Sequence, residues 1–342
     1  MKIPYKRFTF IFEAEEEIYL PSYKGSTFRG AFGTQFKKVV CALKKGDCRD
    51  CLLKQRCVYA YIFESYSPDE ANILGKVNAI PHPFIIEPPE EEKQRYLAGQ
   101  TFSMGLILIG DAIQYLPYFI YTFGLLGKNG IGRGRGSCQL QEVYTVSPQD
   151  DAKSIYCSKT RKVESFSEEC IDLSQPILAI VEEKIPNSVH NAPEEITLRF
   201  LTPTRLKYDG KLTIDLEFHV FIRQLLRRLF LLRHYHGKDS SADEGLSGEG
   251  YHRILIDKAR TISIKESNLR WHDWERYSRR QDTRMKLGGF VGDIVYTGAI
   301  SPFYPFIEAG KILHVGKGTS FGLGKYIISC DETATIFGHK GG

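Results

Sequence analysis

No run of 18 apolar residues occurs anywhere in the 342-residue sequence, so no membrane-spanning helix is predicted. The opening stretch, MKIPYKRFTFIFEAEEE, lacks the apolar core of a secretory signal and soon turns acidic. A cytoplasmic location is the expectation. No Gly stands five positions before a Gly-Lys pair, and G-x-G-x-x-G is absent, so neither an ATP-binding phosphate loop nor a dinucleotide site is supported. The nine His form no H-x3-H or H-E-x-x-H pair, and no G-x-S-x-G is present. Clustered carboxylates of the kind a two-metal nuclease needs are missing. Charge of one sign is not in large excess: 46 Lys plus Arg stand against 41 Asp plus Glu, a net +5. That balance alone does not establish a nucleic-acid partner, so the placement of charge decides.

What is present belongs to an ordinary globular protein, 42% hydrophobic and 25% charged, of a length that suits two domains. Those domains read as one unit written twice. Phe8, Phe10 and Phe12 alternate as a half-buried strand does, and Ile196, Leu198 and Phe200 repeat the alternation. Gly110 and Pro117 return as Gly298 and Pro305, each Pro in an aromatic setting. Each half then reaches a glycine-rich loop, Gly127 to Gly136 and Gly316 to Lys325, and runs into another strand pattern. After each first strand comes a helix. Phe28, Phe32, Phe36 and Val39 share one helical face, with Ser26 as the expected N-cap. Phe218, Phe221, Leu225 and Leu229 mark the second helix, capped by Asp215 and ending near His236, with Arg223, Arg227 and Arg228 on its other face. This order predicts an α+β fold of two tandem ferredoxin-like domains, each with a glycine-rich loop, and a four-Cys insertion in the first. The expected boundaries are 1–146 and 195–342, with 147–194 as a polar connection.

Eight Cys in a chain this long do not make a disulfide scaffold, so their spacing matters more. Cys41, Cys48, Cys51 and Cys57 read C-x6-C-x2-C-x5-C among basic neighbours. Four thiolates suit a structural Zn site with no open position. An iron–sulfur cluster, or core cysteines with no metal, are the alternatives. The glycine loops carry positive charge: Lys128, Arg133 and Arg135 in the first, Lys317 and Lys325 in the second. Backbone amides with Lys or Arg suit phosphates, while a tight packing turn is the competing reading. A third basic stretch, Arg270 to Lys286, mixes Arg276, Arg279 and Arg280 with Trp271, Trp274 and Tyr277. Aromatic rings stack on unpaired bases while Arg contacts phosphates; a solvated charged face is the plainer alternative.

The combination resembles the RAMP superfamily of CRISPR-associated RNA-binding proteins. Several stretches are similar to the precursor-crRNA-processing endoribonuclease family within it. They are Ser26-Thr-Phe-Arg-Gly-Ala-Phe-Gly33, Cys57-Val-Tyr-Ala-Tyr-Ile-Phe-Glu64, Arg276-Tyr-Ser-Arg-Arg-Gln281, Lys286-Leu-Gly-Gly-Phe-Val-Gly292 and Leu313-His-Val-Gly-Lys-Gly-Thr-Ser-Phe-Gly-Leu-Gly-Lys325. The resemblance implies a metal-independent endoribonuclease of CRISPR repeat RNA, in which the RNA's 2′-OH attacks the adjacent phosphate and leaves a 2′,3′-cyclic phosphate. It also implies CRISPR effector subunits as partners, no membrane partner and no cofactor required for catalysis. Many members carry a general-base His in or near the first helix, yet no His precedes His82 here. The catalytic candidates are therefore Tyr23, Arg29, Lys37 and His314, arranged as a basic clamp. Three readings stay open: His314 or another His substitutes, Tyr and Lys suffice by positioning RNA, or the protein binds RNA without cutting it.

Overall fold

The computed structural model describes residues 1–44, 47–48, 50–64, 80–147, 150–174, 176–177, 194–237, 249–273, 275–278, 283–286 and 288–329. They form two compact units. The first comprises Met1–Ser174, Arg227–Ser247 and Gly318–Gly322; the second comprises Gln175–Leu226, Gly248–Lys317 and Leu323–Gly342.

In the first unit, β1 (Lys2–Ala14) is central, because its alternating aromatics bury one whole face. The hairpin-like neighbours are all antiparallel: β2 (Phe84–Glu87), β3 (Thr101–Ile109), β4 (Cys138–Ser147) and β5 (Asp150–Cys157) give the order β2-β3-β1-β4-β5. A further strand, β6 (Glu169–Asp172), pairs with the start of β1. Helix α1 (Gly25–Val40) follows β1, and α2 (Leu116–Lys128) follows β3. Their contact is aromatic. Phe32 stacks on Phe119 and Phe123 with centroids 4.9 and 4.6 Å apart, and Phe123 meets Phe10 edge-on.

The second unit repeats the scheme. β7 (Glu195–Thr204) lies between β14 (Gly289–Thr297) and β15 (Tyr326–Ile328), with β10 (Ser263–Ser267) outside β14. β11 (Arg270–His272) also pairs with β14. Its helices are α3 (Phe218–His236), of which the residues from Arg227 on belong to the first unit, α4 (Glu249–Ala259) and α5 (Tyr304–Leu313). Two small hairpins, β8 (Leu206–Tyr208) with β9 (Lys211–Thr213) and β12 (Glu275–Ser278) with β13 (Thr283–Lys286), complete it. Thus β1-α1-β2-β3-α2-β4 and β7-α3-α4-β10-β14-α5-β15 run in the same order and build sheets of the same strand order. The repeated Gly and Pro take equivalent places. Gly110 and Gly298 have positive φ, and Pro117 and Pro305 sit in the first turn of α2 and α5, where a missing N–H costs no helical bond.

Four details differ from the sequence reading. The N-cap of α1 is Lys24 rather than Ser26: its carbonyl accepts from the amides of Thr27 and Phe28, and its ammonium reaches the Glu91 carbonyl. Helix α3 starts at Phe218, with the Glu217 carbonyl, not Asp215, receiving the first amides. Arg228 is buried, not on an outer face, because α3 also buries Ile222, Leu226, Leu231 and Leu232 and so has no fully polar side. The stretch 147–194 carries β5 and β6, whose polar edge positions hide the alternation that identifies buried strands.

Candidate active site

Gly318–Gly322, the middle of the second glycine loop, packs on α1 and β2 within the first unit. Gly25 opens α1 because nothing larger fits: a Cβ there would stand 2.1 Å from the Phe321 carbonyl oxygen. The same carbonyl accepts the Tyr23 hydroxyl at 2.6 Å. One turn into α1, the Arg29 guanidinium lies between two rings, 4.9 Å from the Phe63 centroid and 4.8 Å from that of Phe321. Such ring contacts hold a planar guanidinium in place by cation–π attraction. Its Nη2 lies 3.4 Å from His82 Nε2.

His82 stands between Pro81 and Pro83, just before β2. Its ring stacks on Phe84 with centroids 5.8 Å apart. Both flanking carbonyls are pinned: Pro81 accepts from His236 Nε2 at 2.8 Å, and Pro83 accepts from the Ile109 amide at 2.9 Å. With its Nε2 donating, His236 accepts the Tyr61 hydroxyl at Nδ1, 3.2 Å away. Burial holds His236 at about 4 and His82 at about 3, with Arg29, His236 and Arg228 adding to the His82 shift. Burial likewise brings Arg228 down to about 9. Both imidazoles are neutral near pH 7, and the region is electropositive.

A second cationic cluster lies in the second unit. Arg205 follows β7, Lys207 is on β8, and Lys317 precedes Gly318. Lys317 is brought below its ordinary value by burial and by the charges of Lys207 and Arg205. Arg205 is lowered by burial too, and its Nε has no hydrogen-bond partner among the described residues. The chain bends here through Gly324, at φ 76°, where a Cβ would meet the Val315 oxygen at 1.8 Å. The Lys317, Phe321 and Gly322 amides bond to Arg205, Gly318 and Thr319 carbonyls. The glycines of this loop thus serve close backbone packing.

The residues singled out from sequence separate accordingly. Tyr23 and Arg29 meet at the start of α1, but burial drives the Tyr23 phenol well above its usual range, which suits an anchor and not a base. Lys37 is at the other end of α1, over the Tyr59 ring and beside Cys48. His314 has 0% exposure, takes φ 58°, and donates from Nδ1 to the Leu323 carbonyl at 3.1 Å. That places it inside the loop's support, away from any solvent path. Lys128 ends α2, and Arg133 and Arg135 are exposed on the first glycine loop, whose Arg133 amide binds the Tyr19 carbonyl. Lys325 is half-buried, its amide bonded to Thr202 Oγ1. Arg276 lies on β12; Arg279, Arg280 and Trp274 fall outside the described residues. Trp271 is 40% exposed, with Nε1 donating to Asp273.

The zinc expectation is not supported. Cys41, Cys48 and Cys51 border one shallow concavity, but among the described residues no three His, Cys, Asp or Glu side chains converge on a metal-binding position. The soft donor set is of the kind a structural Zn site uses. Sequence reasoning passed over His82, Arg205 and Lys207. The Pro-His-Pro triplet was the one available signal for His82, since two prolines restrict the backbone that presents it.

The comparisons with known proteins fall in line with the repeated architecture. Residues 198–326 match the family model of CRISPR-associated endoribonuclease Cas6, and residues 3–168 match an N-terminal-domain model, AF_1859_N. An uncharacterized protein of Archaeoglobus fulgidus is 26% identical over 316 residues, spanning 91% of this chain and 93% of its own. Thermus thermophilus Cas6 in a product complex superposes with a TM-score of 0.52 at 16% identity, over 95% of this chain and 99% of that one. A partial Cas6-RT-Cas1–Cas2 complex gives the same TM-score at 14% identity, over 95% of this chain and 46% of that one. At such identities these structures speak for the fold. Residues 198–326, the part that holds the second sheet and its glycine loop, are thus similar to the CRISPR-associated endoribonuclease Cas6 family.

Proposed function

We propose that the protein is a metal-independent endoribonuclease that binds CRISPR repeat RNA and cuts precursor crRNA, on a scaffold of two tandem ferredoxin-like domains. The observation that carries this reading is the Arg29 guanidinium, set over the Phe63 and Phe321 rings beside a neutral histidine. Attack by a 2′-OH on the adjacent phosphate needs charge neutralisation on the phosphorane and groups that move protons. Arg29 supplies the first. Arg205, Lys207 and Lys317 offer side-chain charge for further backbone phosphates, and Arg133, Arg135, Lys128, Lys325 and Arg276 extend the set. The product is a 2′,3′-cyclic phosphate with a 5′-OH partner.

The test is end-labelled repeat RNA from the host's own CRISPR array, incubated with the full chain in excess EDTA. A matched RNA carries one 2′-deoxy substitution at each candidate position. A discrete cut, lost with a single deoxy position, is expected. Cleavage that needs a divalent ion, or survives every deoxy substitution, refutes the mechanism. The second reading is an RNA-binding subunit of a CRISPR effector complex without turnover; the tied Tyr23 hydroxyl and the buried His314 favour it. Tight repeat binding with no cut selects it.

A further inference from the structure

We propose that Tyr19, set between Arg95 and Arg133, is a stacking site for one unpaired base of the RNA, with Arg133 taking a phosphate of the same stretch of backbone. The proposal rests on the reading of RNA as the ligand and adds a contact to a base within the first unit. Register, glycine placement and charge carry it.

Ile18-Tyr19 pairs antiparallel with Arg95-Tyr96, which sets Tyr19 opposite Arg95. On its other side Tyr19 forms an antiparallel bridge to Arg133 of the first glycine loop. Residues opposite one another across a ladder project to the same face, so Arg95, Tyr19 and Arg133 form one row. The alternate positions, Ile18 and Tyr96, are both 0% exposed and anchor the opposite face. Adjacent strands lie about 4.8 Å apart, so each arginine reaches beside the ring.

Glycine lets the loop lie against this segment. A Cβ at Gly132 would stand 2.1 Å from the Tyr19 carbonyl oxygen, and one at Gly136 would stand 2.2 Å from that of Glu17. With both absent, the Arg133 amide donates to the Tyr19 carbonyl at 2.8 Å. Gly134 differs, since a Cβ there would meet nothing within 4 Å, and its φ of 85° serves the turn alone. The next residue, Arg135, takes φ 57°, a left-handed conformation uncommon for arginine. The two packing glycines thus hold the loop down while the residues between them, Arg133 to Arg135, stay exposed.

Charge then separates the two arginines. The Arg95 guanidinium lies 5.7 Å from the Tyr19 centroid, and its Nε donates to the Glu17 carboxylate. The same carboxylate accepts the Tyr19 hydroxyl, so Glu17 fixes both ring and cation. Arg133 and Arg135 pair with no acid among the described residues. Tyr19 itself is 43% exposed. An exposed ring beside cations that lack a counter-ion matches a nucleotide, whose base covers the ring while its phosphate meets Arg133. An acidic peptide would satisfy the cations but leave the ring without a planar partner. Stacking needs a base whose face is free, so the ligand is a single-stranded part of the RNA.

The test is equilibrium binding of the full chain, in EDTA, to the same repeat RNA with 2-aminopurine replacing one base at a time and a 2′-deoxy sugar at the cut where there is one. Wild-type protein should quench the fluorescence at one position outside any hairpin. Tyr19→Ala should abolish that quenching and weaken binding about 5- to 150-fold, the range for one stacked base, with the salt slope kept. Tyr19→Trp should retain quenching and affinity, whereas Tyr19→Leu, which fills the space without a π-face, should behave as Tyr19→Ala. Arg133→Ala should instead make the log–log salt slope shallower by about 0.7. Tyr121→Ala, which removes a 59% exposed ring on α2, should bind as the wild type does. No quenched position, quenching that survives Tyr19→Ala, or wild-type affinity in Tyr19→Leu overturns the site while RNA binding and cutting stand. A wild-type protein that binds no repeat RNA overturns the RNA reading, and the site with it.

Discussion

Single residues carry the local geometry of the site, and glycine shows it best. Gly25 and Gly30 lie on the same helix, but a Cβ at Gly25 collides with the Phe321 oxygen while one at Gly30 meets nothing within 4 Å. Gly25→Ala should lower stability by about 1–3 kcal/mol, as overpacking does. Gly30→Ala should raise it by about 0.5–1 kcal/mol through helix propensity. Thermal midpoints of the two variants check the pair; a stabilising Gly25→Ala would mean the loop does not rest on α1. Arg29 is the second case. Lys keeps the charge but cannot lie flat between Phe63 and Phe321, so Arg29→Lys should slow cleavage at least tenfold without a matching loss of stability. Equal rates for Arg29→Lys and wild type would reduce Arg29 to a point charge. Arg29 was legible as a candidate from its place in a basic helix; that two aromatic rings grip it was not, because Phe63 and Phe321 are remote from it in sequence.

At the scale of elements, most of the architecture was written in periodicity. The Phe28, Phe32 and Phe36 spacing located α1, and all three are buried. The same residues set its energetics: Phe32 is fully buried between Phe119 and Phe123, so Phe32→Ala should cost about 3–5 kcal/mol. Chemical denaturation would show the midpoint fall with the slope kept; a drop below 1 kcal/mol would mean the α1–α2 face is loosely packed. Periodicity failed for α3. Its basic residues suggested a solvated face, yet Arg228 is 7% exposed, because the helix buries Leu225, Leu229 and Leu232 around it. It failed also for β5 and β6, edge strands with too little buried surface to imprint an alternation. The cysteine spacing says less for a related reason: C-x2-C makes a chelating pair only when the two other thiols fold back onto it, spacing does not fix that return, and among the described residues no three ligand side chains converge.

The whole molecule responds to pH and salt through groups gathered from distant positions. His236 is 5% exposed and held at about 4, against about 6.5 in an unfolded chain. The folded state therefore binds fewer protons than the unfolded one between those values. Its stability is complete above pH 6.5 and is lost as pH falls toward 4, by roughly 3 kcal/mol from this residue alone. His236→Gln, which keeps a donor toward Pro81, should flatten that acid limb. Urea midpoints at pH 7.5 and pH 5 measure it, and an equal drop in both proteins would refute the assignment. Salt reports on the other cluster. Replacing Lys207 and Lys317 with Ala should weaken RNA binding and make the log–log salt slope shallower by about 0.7–0.9 per lost phosphate contact. An unchanged slope would remove this cluster from the RNA path. Among the described residues no helix is long and apolar enough to cross a membrane. The sequence by itself determined the duplication, the central strands and helices, and the positive loops, since alternation, helical spacing and repeated Gly and Pro are local properties of the chain. Only the tertiary structure decided which charges matter. Folding carried Phe321 onto Arg29, Pro81 onto His236 and His314 into the interior, and such meetings depend on where long-range packing brings residues that are far apart in sequence.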